Sequence, residues 1–207
     1  MLDAITLFLF NIVVYNIPLL YGTAGEIMIE KSGSLNLGVE GTMAIGAVAG
    51  YVAACRTDSL AIGVLAGFVA AGLCGLIFAF LTVTLQANQN VTGLTITTFG
   101  VAFYYFVGNG LSNSGAGWPA LNRTTLGEQF KDLAIPLLSK IPVIGKGLFS
   151  HNILVYGGVV IAVLMWFYFE KTIPGLRLRS IGENPAAADS LGVNVSLYKY
   201  IHIIIGS

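Results

Sequence analysis

Five long apolar segments constrain this chain of 207 residues more than any other feature, because each is long enough to cross a lipid bilayer. They run over residues 4–21, 37–55, 60–85, 92–110 and 153–169. A sixth begins near residue 200, and the last residue is reached after about two turns of helix. The segments lack the alternation of a membrane barrel. We predict an all-α polytopic membrane helix bundle over residues 1–207, and we expect a complete protein to continue through further spans.

Composition agrees with a membrane location. Hydrophobic residues make up 56% of the chain and charged residues only 10%, whereas soluble domains carry about 25% charged residues. Ten basic residues balance ten acidic ones. This neutral balance argues against nucleic acid as a partner, and the low charged fraction places most side chains in membrane lipid or in a large buried interior.

Small residues recur four positions apart inside the second and third apolar segments. Such spacing lets transmembrane helices approach closely. The pairs are Gly46/Gly50, Gly63/Gly67 and Ala71/Gly75. They predict a tightly packed bundle and carry no information about a substrate.

Two long loops, residues 111–151 and 170–199, flank the fifth segment and must therefore lie on opposite faces of the membrane. Positively charged residues are usually enriched on the cytoplasmic side. Each loop contains four lysines or arginines. The charge distribution therefore leaves the orientation open.

The stretch "GEIMIEKSGSLNLGVEG", residues 25–41, contains four charged residues, and three of them, Glu26, Glu30 and Lys31, suit an ordinary interfacial turn between apolar segments. Glu40 differs because it falls within the second apolar segment, where an ionisable side chain is costly unless it faces protein or water. Asn36 precedes Glu40 by four residues and is expected to share its helix face. A polar contact between helices and a lining of a transport pathway are both compatible with this placement.

A third polar stretch, "QANQNVTGLTITTFG" at residues 86–100, predicts a break followed by a helix with regularly spaced threonines. Threonine hydroxyls in membrane helices often bond back to their own backbone. Interrupted polar segments are also where transporters build binding sites. We therefore take Asn90, Thr92 and Thr95, together with Asn36 and Glu40, as candidate pathway or helix-contact residues.

Motifs of soluble enzymes are missing from the sequence. It contains no phosphate-binding GxxxxGK[ST] loop, no GxSxG and no HExxH. His151 and His202 have no companions at the spacing of a metal site. We predict that the chain is not an enzyme and needs neither a metal nor another cofactor.

The polar stretch "ENPAAADSLG", residues 183–192, has the start and stop signals of a short helix. Asn184 is a capping residue type and Pro185 suits the first helical position. Gly192 suits the left-handed conformation just beyond the end. A helix of about two turns is marginal in water on its own, so we expect a partner to bury part of it.

Residues 174–193, "PGLRLRSIGENPAAADSLGV", resemble the cytoplasmic coupling loop in permease subunits of ABC importers for nucleosides and simple sugars. Residues 30–47, "EKSGSLNLGVEGTMAIGA", are similar to a second signature of that family. "AAADSLG" fits the spacing of the broader EAAxxxG importer signature, although Ala186 replaces the glutamate. The resemblance implies a multi-pass protein of the plasma membrane, with a cytoplasmic coupling loop at 171–199 and an extracytoplasmic loop at 111–151.

The resemblance also implies partners and a set of coupling residues. The partners are an ABC ATPase subunit, a second related permease subunit and an extracytoplasmic solute-binding lipoprotein. The residues expected to contact the ATPase are Glu183, Asn184, Pro185, Ala186, Ala187, Ala188, Asp189 and Gly192. The cargo expected first is a nucleoside, followed by simple sugars and branched-chain amino acids. A secondary carrier with an ion site at Glu40, and a membrane scaffold without a pathway, are the alternatives.

Overall fold

The computed structural model describes residues 2–112, 133–134, 145 and 149–207, and nearly all of these are helical. The prediction of an all-α polytopic bundle is confirmed. The long helices are α1 (Leu2–Glu30), α2 (Val39–Thr57), α3 (Leu60–Ala79), which continues as a π-helix over Phe80–Thr84, α4 (Gln89–Ser112) and α5 (Ile153–Lys171). The shorter helices are α6 (Ile173–Glu183), α7 (Pro185–Ser190) and α8 (Val195–Gly206). A short antiparallel bridge joins β1 (Leu133–Ala134) to β2 (Ser150–His151), where no strand was predicted.

Four of the described helices are long and apolar enough to cross a membrane: Ala4–Glu30, Leu60–Thr84, Gln89–Gly110 and Ile153–Lys171. They correspond to four of the five predicted spans. The other, α2, is 19 residues long and less apolar, with Glu40 in its first turn and Arg56 in its last. The short apolar helix α8 contains the predicted start of a sixth span and begins five residues before Tyr200.

Glycines bring α2 and α3 together at the predicted positions. Gly50 and Gly63 face each other so closely that a Cβ atom added to Gly63 would lie 2.9 Å from the Gly50 carbonyl oxygen. A Cβ added to Gly67 would lie 3.2 Å from the Gly46 carbonyl oxygen. These contacts confirm the small-residue prediction. Because the hydrophobic effect does not drive helices together in lipid, close van der Waals packing of this kind stabilises their association instead.

Close backbone contacts at glycines also join α4 and α8 to the bundle. Gly41 of α2 and Gly100 of α4 touch backbone to backbone. Gly206 of α8 packs in the same way on Gly25 of α1. Between these crossings lies a small core in which α1, α3 and α8 meet, formed by Ile29, Phe78, Ala79 and Ile203, all fully buried. Any side chain larger than hydrogen at the crossings would separate the helices.

Contacts between loops show which ends of the helices lie together. The backbone amide of Leu35, after α1, donates to Oε1 of Gln89, at the start of α4. Gly33 touches Gly182, at the end of α6. The loops at 31–38, 85–88 and 172–194 therefore share one end of the bundle, which agrees with an alternating path of α1, α2, the α3–π unit, α4 and α5. Most of the predicted extracytoplasmic loop, residues 111–151, lies outside the described residues.

Candidate functional site

Helix α7 has the local structure that its sequence predicts. The side chain of Asn184 accepts a hydrogen bond from the Ala187 amide over 3.0 Å, so it caps the first turn, and Pro185 occupies the first helical position. Gly192 has a φ of +79° and its amide donates to the Asp189 carbonyl over 2.8 Å. The helix therefore begins and ends on interactions within its own ten residues.

Most of the predicted coupling residues face outward. Glu183, Asn184, Pro185, Ala186, Ala187, Asp189 and Gly192 are all exposed. Ala188 is the exception at 2% exposure, and it lies on the side of α7 that packs against α6 and α8. Leu191 was not predicted as a site residue, yet its side chain is 83% exposed directly beyond the last helical residue. An apolar side chain so exposed at a helix end is suited to insertion into a partner.

Helix α6 was not predicted from the sequence, since the segment before α7 was expected to be part of a loop. Thr172 caps it by accepting a hydrogen bond from the Gly175 amide over 3.1 Å, and Pro174 lies in the first turn. Leu178 and Ile181 are buried three residues apart, as expected for one helix face. Thr172 and Pro174 are typical of a helix start, but Gly175 and Gly182 within the segment disfavour a helix.

The loop 31–38 is the second organised polar region. Ser32, Ser34 and Asn36 are all buried, at 0–2% exposure. The Asn36 amide donates to Oε1 of Glu26 over 2.9 Å, and the Asn36 side chain accepts from the Gly38 amide, also over 2.9 Å. Side chains from α1, from the start of α4 and from the loop itself therefore accept hydrogen bonds from backbone amides of this loop.

One prediction about this region is wrong. Asn36 and Glu40 do not share a helix face, because α2 begins only at Val39 and Asn36 lies in the preceding loop. The chain must turn there to bring Gly38 against Gly93 of α4, so the helical spacing of four residues does not apply. Glu40 lies exposed in the first turn of α2, where a carboxylate interacts favourably with the helix dipole.

The partners of this loop were not predicted as site residues. Glu26 was assigned to an interfacial turn and Gln89 only to a helix break, yet both bond to the loop backbone. Thr97, about two turns further along α4, donates to the Leu37 carbonyl over 2.8 Å. Oε2 of Glu26 and Oγ of Ser34 are buried and have no hydrogen-bond partner among the described residues. Sequence spacing does not show that Glu26, Gln89 and Thr97 bond to the loop 31–38, because these contacts depend on how the helices pack.

Thr92 and Thr95 line an apolar cavity of about 420 Å³ between α2, the α3–π unit and α4. Their hydroxyl groups donate to the backbone carbonyls of Asn88 and Val91, four residues earlier. The structure therefore favours the back-bonded interpretation of these threonines. Asn90 is exposed at the start of α4 and is not among the residues that line the cavity.

Comparison with known proteins agrees with the two motifs and the fold. The family described as "Branched-chain amino acid transport system / permease component" matches residues 8–207, almost the whole chain. This chain belongs to that permease family. No solved structure matches it.

Curated relatives refine this membership. The permease is 34% identical over 202 residues to the nucleoside ABC transporter permease protein NupC of Lactococcus lactis, covering 94% of this chain and 62% of the relative. It is 32% identical over 206 residues to the guanosine ABC transporter permease protein NupQ of Bacillus subtilis, covering 93% and 60%. It is 31% identical over 189 residues to the putative glucose ABC transporter permease protein TsgC13 of Haloferax volcanii, covering 91% and 55%. The permease thus spans roughly three-fifths of the length of these relatives.

Proposed function

We propose that this chain is a transmembrane permease subunit of an ATP-binding-cassette importer and forms part of the pathway of a small polar solute. The observation that carries this proposal is α7, a capped and exposed helix at the end of the bundle where three loops meet. The sequence contains no phosphate-binding loop. ATP hydrolysis is accordingly assigned to a separate ATPase subunit, and α7 to contact with it.

The shape of α7 suits docking. A helix of six residues has little stability of its own. Burial of Leu191 and the exposed alanine surface against an ATPase would add the stabilising free energy that so short a helix lacks. Full burial of a leucine side chain contributes about 1.5–3 kcal/mol. Ala188 anchors the opposite side of α7 to the permease. Force applied at the exposed surface is thereby transmitted to α6 and α8.

Nucleosides are the proposed cargo, with simple sugars second and branched-chain amino acids third. Two of the relatives carry nucleoside or guanosine in their names and one carries glucose. The complete importer is proposed to contain this subunit, a related second permease, the ATPase and an extracytoplasmic solute-binding lipoprotein in the plasma membrane. Uptake of radiolabelled guanosine or uridine that persists after deletion of this subunit would contradict the nucleoside assignment.

Two substitutions in the α7 region test coupling. Gly192→Val places a β-branched residue at a φ of +79°, and Ala187→Asp places charge on the proposed docking surface. Both variants are expected to insert normally but to lose the ATPase in a pull-down from detergent-solubilised membranes, or to lose uptake. Gly192→Asn is the matched control, because asparagine adopts the left-handed conformation more readily and no atom lies within 4 Å of an added Cβ atom.

The outcomes separate the proposal from its alternatives. Normal ATPase binding and normal uptake in both disruptive variants, at matched permease levels, would reduce α7 to a connector. Uptake into vesicles that resists vanadate and collapses with a protonophore would instead identify a secondary carrier. A membrane scaffold would show no uptake that depends on this subunit.

A further inference from the structure

The end of α6 touches the loop 31–38 through two glycines. A Cβ atom added to Gly182 would lie 2.7 Å from the Lys31 carbonyl oxygen, and one added to Gly33 would lie 3.2 Å from the Cα atom of Gly182. Gly33 has a φ of +76°, a conformation that other residues rarely adopt. The backbones therefore meet directly, with no side chain between them to absorb a displacement.

The loop on the other side of this contact is tied to several helices. Its backbone bonds to Glu26 of α1 over 2.9 Å and to Gln89 of α4 over 2.7 Å, and α2 starts from its last residue. A second bond to α4 runs from Thr97 to the Leu37 carbonyl. A shift of the loop must consequently move three helices of the bundle or break these bonds.

We propose that Gly33 and Gly182 are positioning residues that transmit movement of α7, through the loop 31–38, to α1, α2 and α4. This inference rests on the proposed function, because the movement of α7 is attributed to the ATPase. Only Asn184 separates α6 from α7, so displacement of α7 carries the Gly182 end of α6 with it. The contact joins the two sequence stretches that resemble family signatures into one mechanical unit.

The hydrogen bonding of the loop suits a segment with more than one position. The buried Oε2 of Glu26 and Oγ of Ser34 lack partners among the described residues, although their neighbours in the loop are satisfied. Buried polar atoms are costly when unpaired. A displaced loop could give each a partner, which would lower the free-energy difference between two arrangements and favour switching over rigid anchoring.

The test uses the complete importer in proteoliposomes and measures substrate transported per ATP hydrolysed. Gly182→Ala forces the contact apart, and Gly108→Ala is the matched control, since a Cβ atom there meets nothing within 4 Å. We expect Gly182→Ala to retain the ATPase in a pull-down and to lower the transport ratio about tenfold, within the usual range of coupling between sites. The control is expected to keep the ratio of the unmodified subunit.

A second pair of variants keeps the inference testable if Gly182→Ala fails to fold. Gln89→Leu removes the acceptor for the Leu35 amide, whereas Gln89→Glu keeps an acceptor oxygen in its place. If Gln89→Leu lowers the amount of substrate transported per ATP and Gln89→Glu keeps the value of the unmodified subunit, the result supports transmission through the loop.

Unchanged ratios in both Gly182→Ala and Gln89→Leu would overturn the inference, as would an equal loss in Gly108→Ala. If the α7 variants uncouple transport while these do not, the proposed function stands and only the route through the loop fails. If the α7 variants also leave ATPase binding and transport intact, the assignment of α7 to contact with the ATPase fails as well.

Discussion

Two polar segments at the same end of the bundle satisfy their backbones in opposite ways. In residues 184–194, the capping side chains of Asn184 and Asn194 accept from amides three residues ahead, Ala187 and Leu197. In the loop 31–38, the acceptors include Glu26 and Gln89, which belong to other elements. The first segment is held by its own sequence, and the second is held by the fold.

This difference indicates different mechanical roles. A segment whose hydrogen bonds are local keeps its shape when it moves, so α7 can shift as a unit. A segment whose bonds reach α1 and α4 cannot shift without disturbing those helices. We therefore interpret α7 as the part that receives force and the loop 31–38 as the part that distributes it.

Glu40 offers the sharpest way to break this comparison. It lies two residues after the loop 31–38 and is exposed in the first turn of α2. If it faces the pathway or a helix contact in the bundle, Glu40→Ala abolishes uptake or assembly, and Glu40→Gln is milder where hydrogen bonding matters more than charge. Uptake and membrane levels are measured together. Neutral behaviour of Glu40→Leu in both would show that Glu40 faces lipid or headgroups.

Asn36 and Asn184 form a matched pair, because each side chain accepts a backbone amide near a helix start. Asn36→Ala strips a buried amide of its acceptor and is expected to lower the free energy of unfolding by about 1–3 kcal/mol. Asn184→Ala removes an exposed cap and is expected to cost about 1 kcal/mol, confined to α7. Thermal unfolding in detergent checks the first, and hydrogen exchange at Ala187 the second. Equal global destabilisation would contradict the comparison.

Ser32 and Ser190 test the same comparison between the two segments with the smallest expected effect. Each hydroxyl donates to the carbonyl three residues earlier, over 2.6 Å to Ile29 and over 2.8 Å to Ala187. Ser32 is fully buried, so Ser32→Ala is expected to cost about 1 kcal/mol. Ser190 is exposed, and Ser190→Ala is expected to stay within about 0.5 kcal/mol. Midpoints of thermal unfolding distinguish the two, and indistinguishable midpoints would argue against the burial difference.

Much of the fold could be predicted because its signals are local. Apolar length indicated the spanning helices, and spacing of four residues indicated that the pairs Gly46/Gly50 and Gly63/Gly67 lie at close helix contacts. The caps of α7 were predicted from Asn184 and Gly192, since each acts on its immediate neighbours. These features need no knowledge of what lies across the bundle.

Other features were decided only by the tertiary structure. Helical spacing predicted that Asn36 and Glu40 share a face, but packing of Gly38 against Gly93 places a turn between them. The roles of Glu26 and Gln89 depend on atoms more than nine residues away in sequence, and so does the contact of Gly33 with Gly182. Sequence by itself determined the long helices and the caps of α7, because propensity, length and capping act within a few residues. The fold alone decided which buried polar groups become partners, because burying a polar group is costly and its partner must come from whatever element packing brings near.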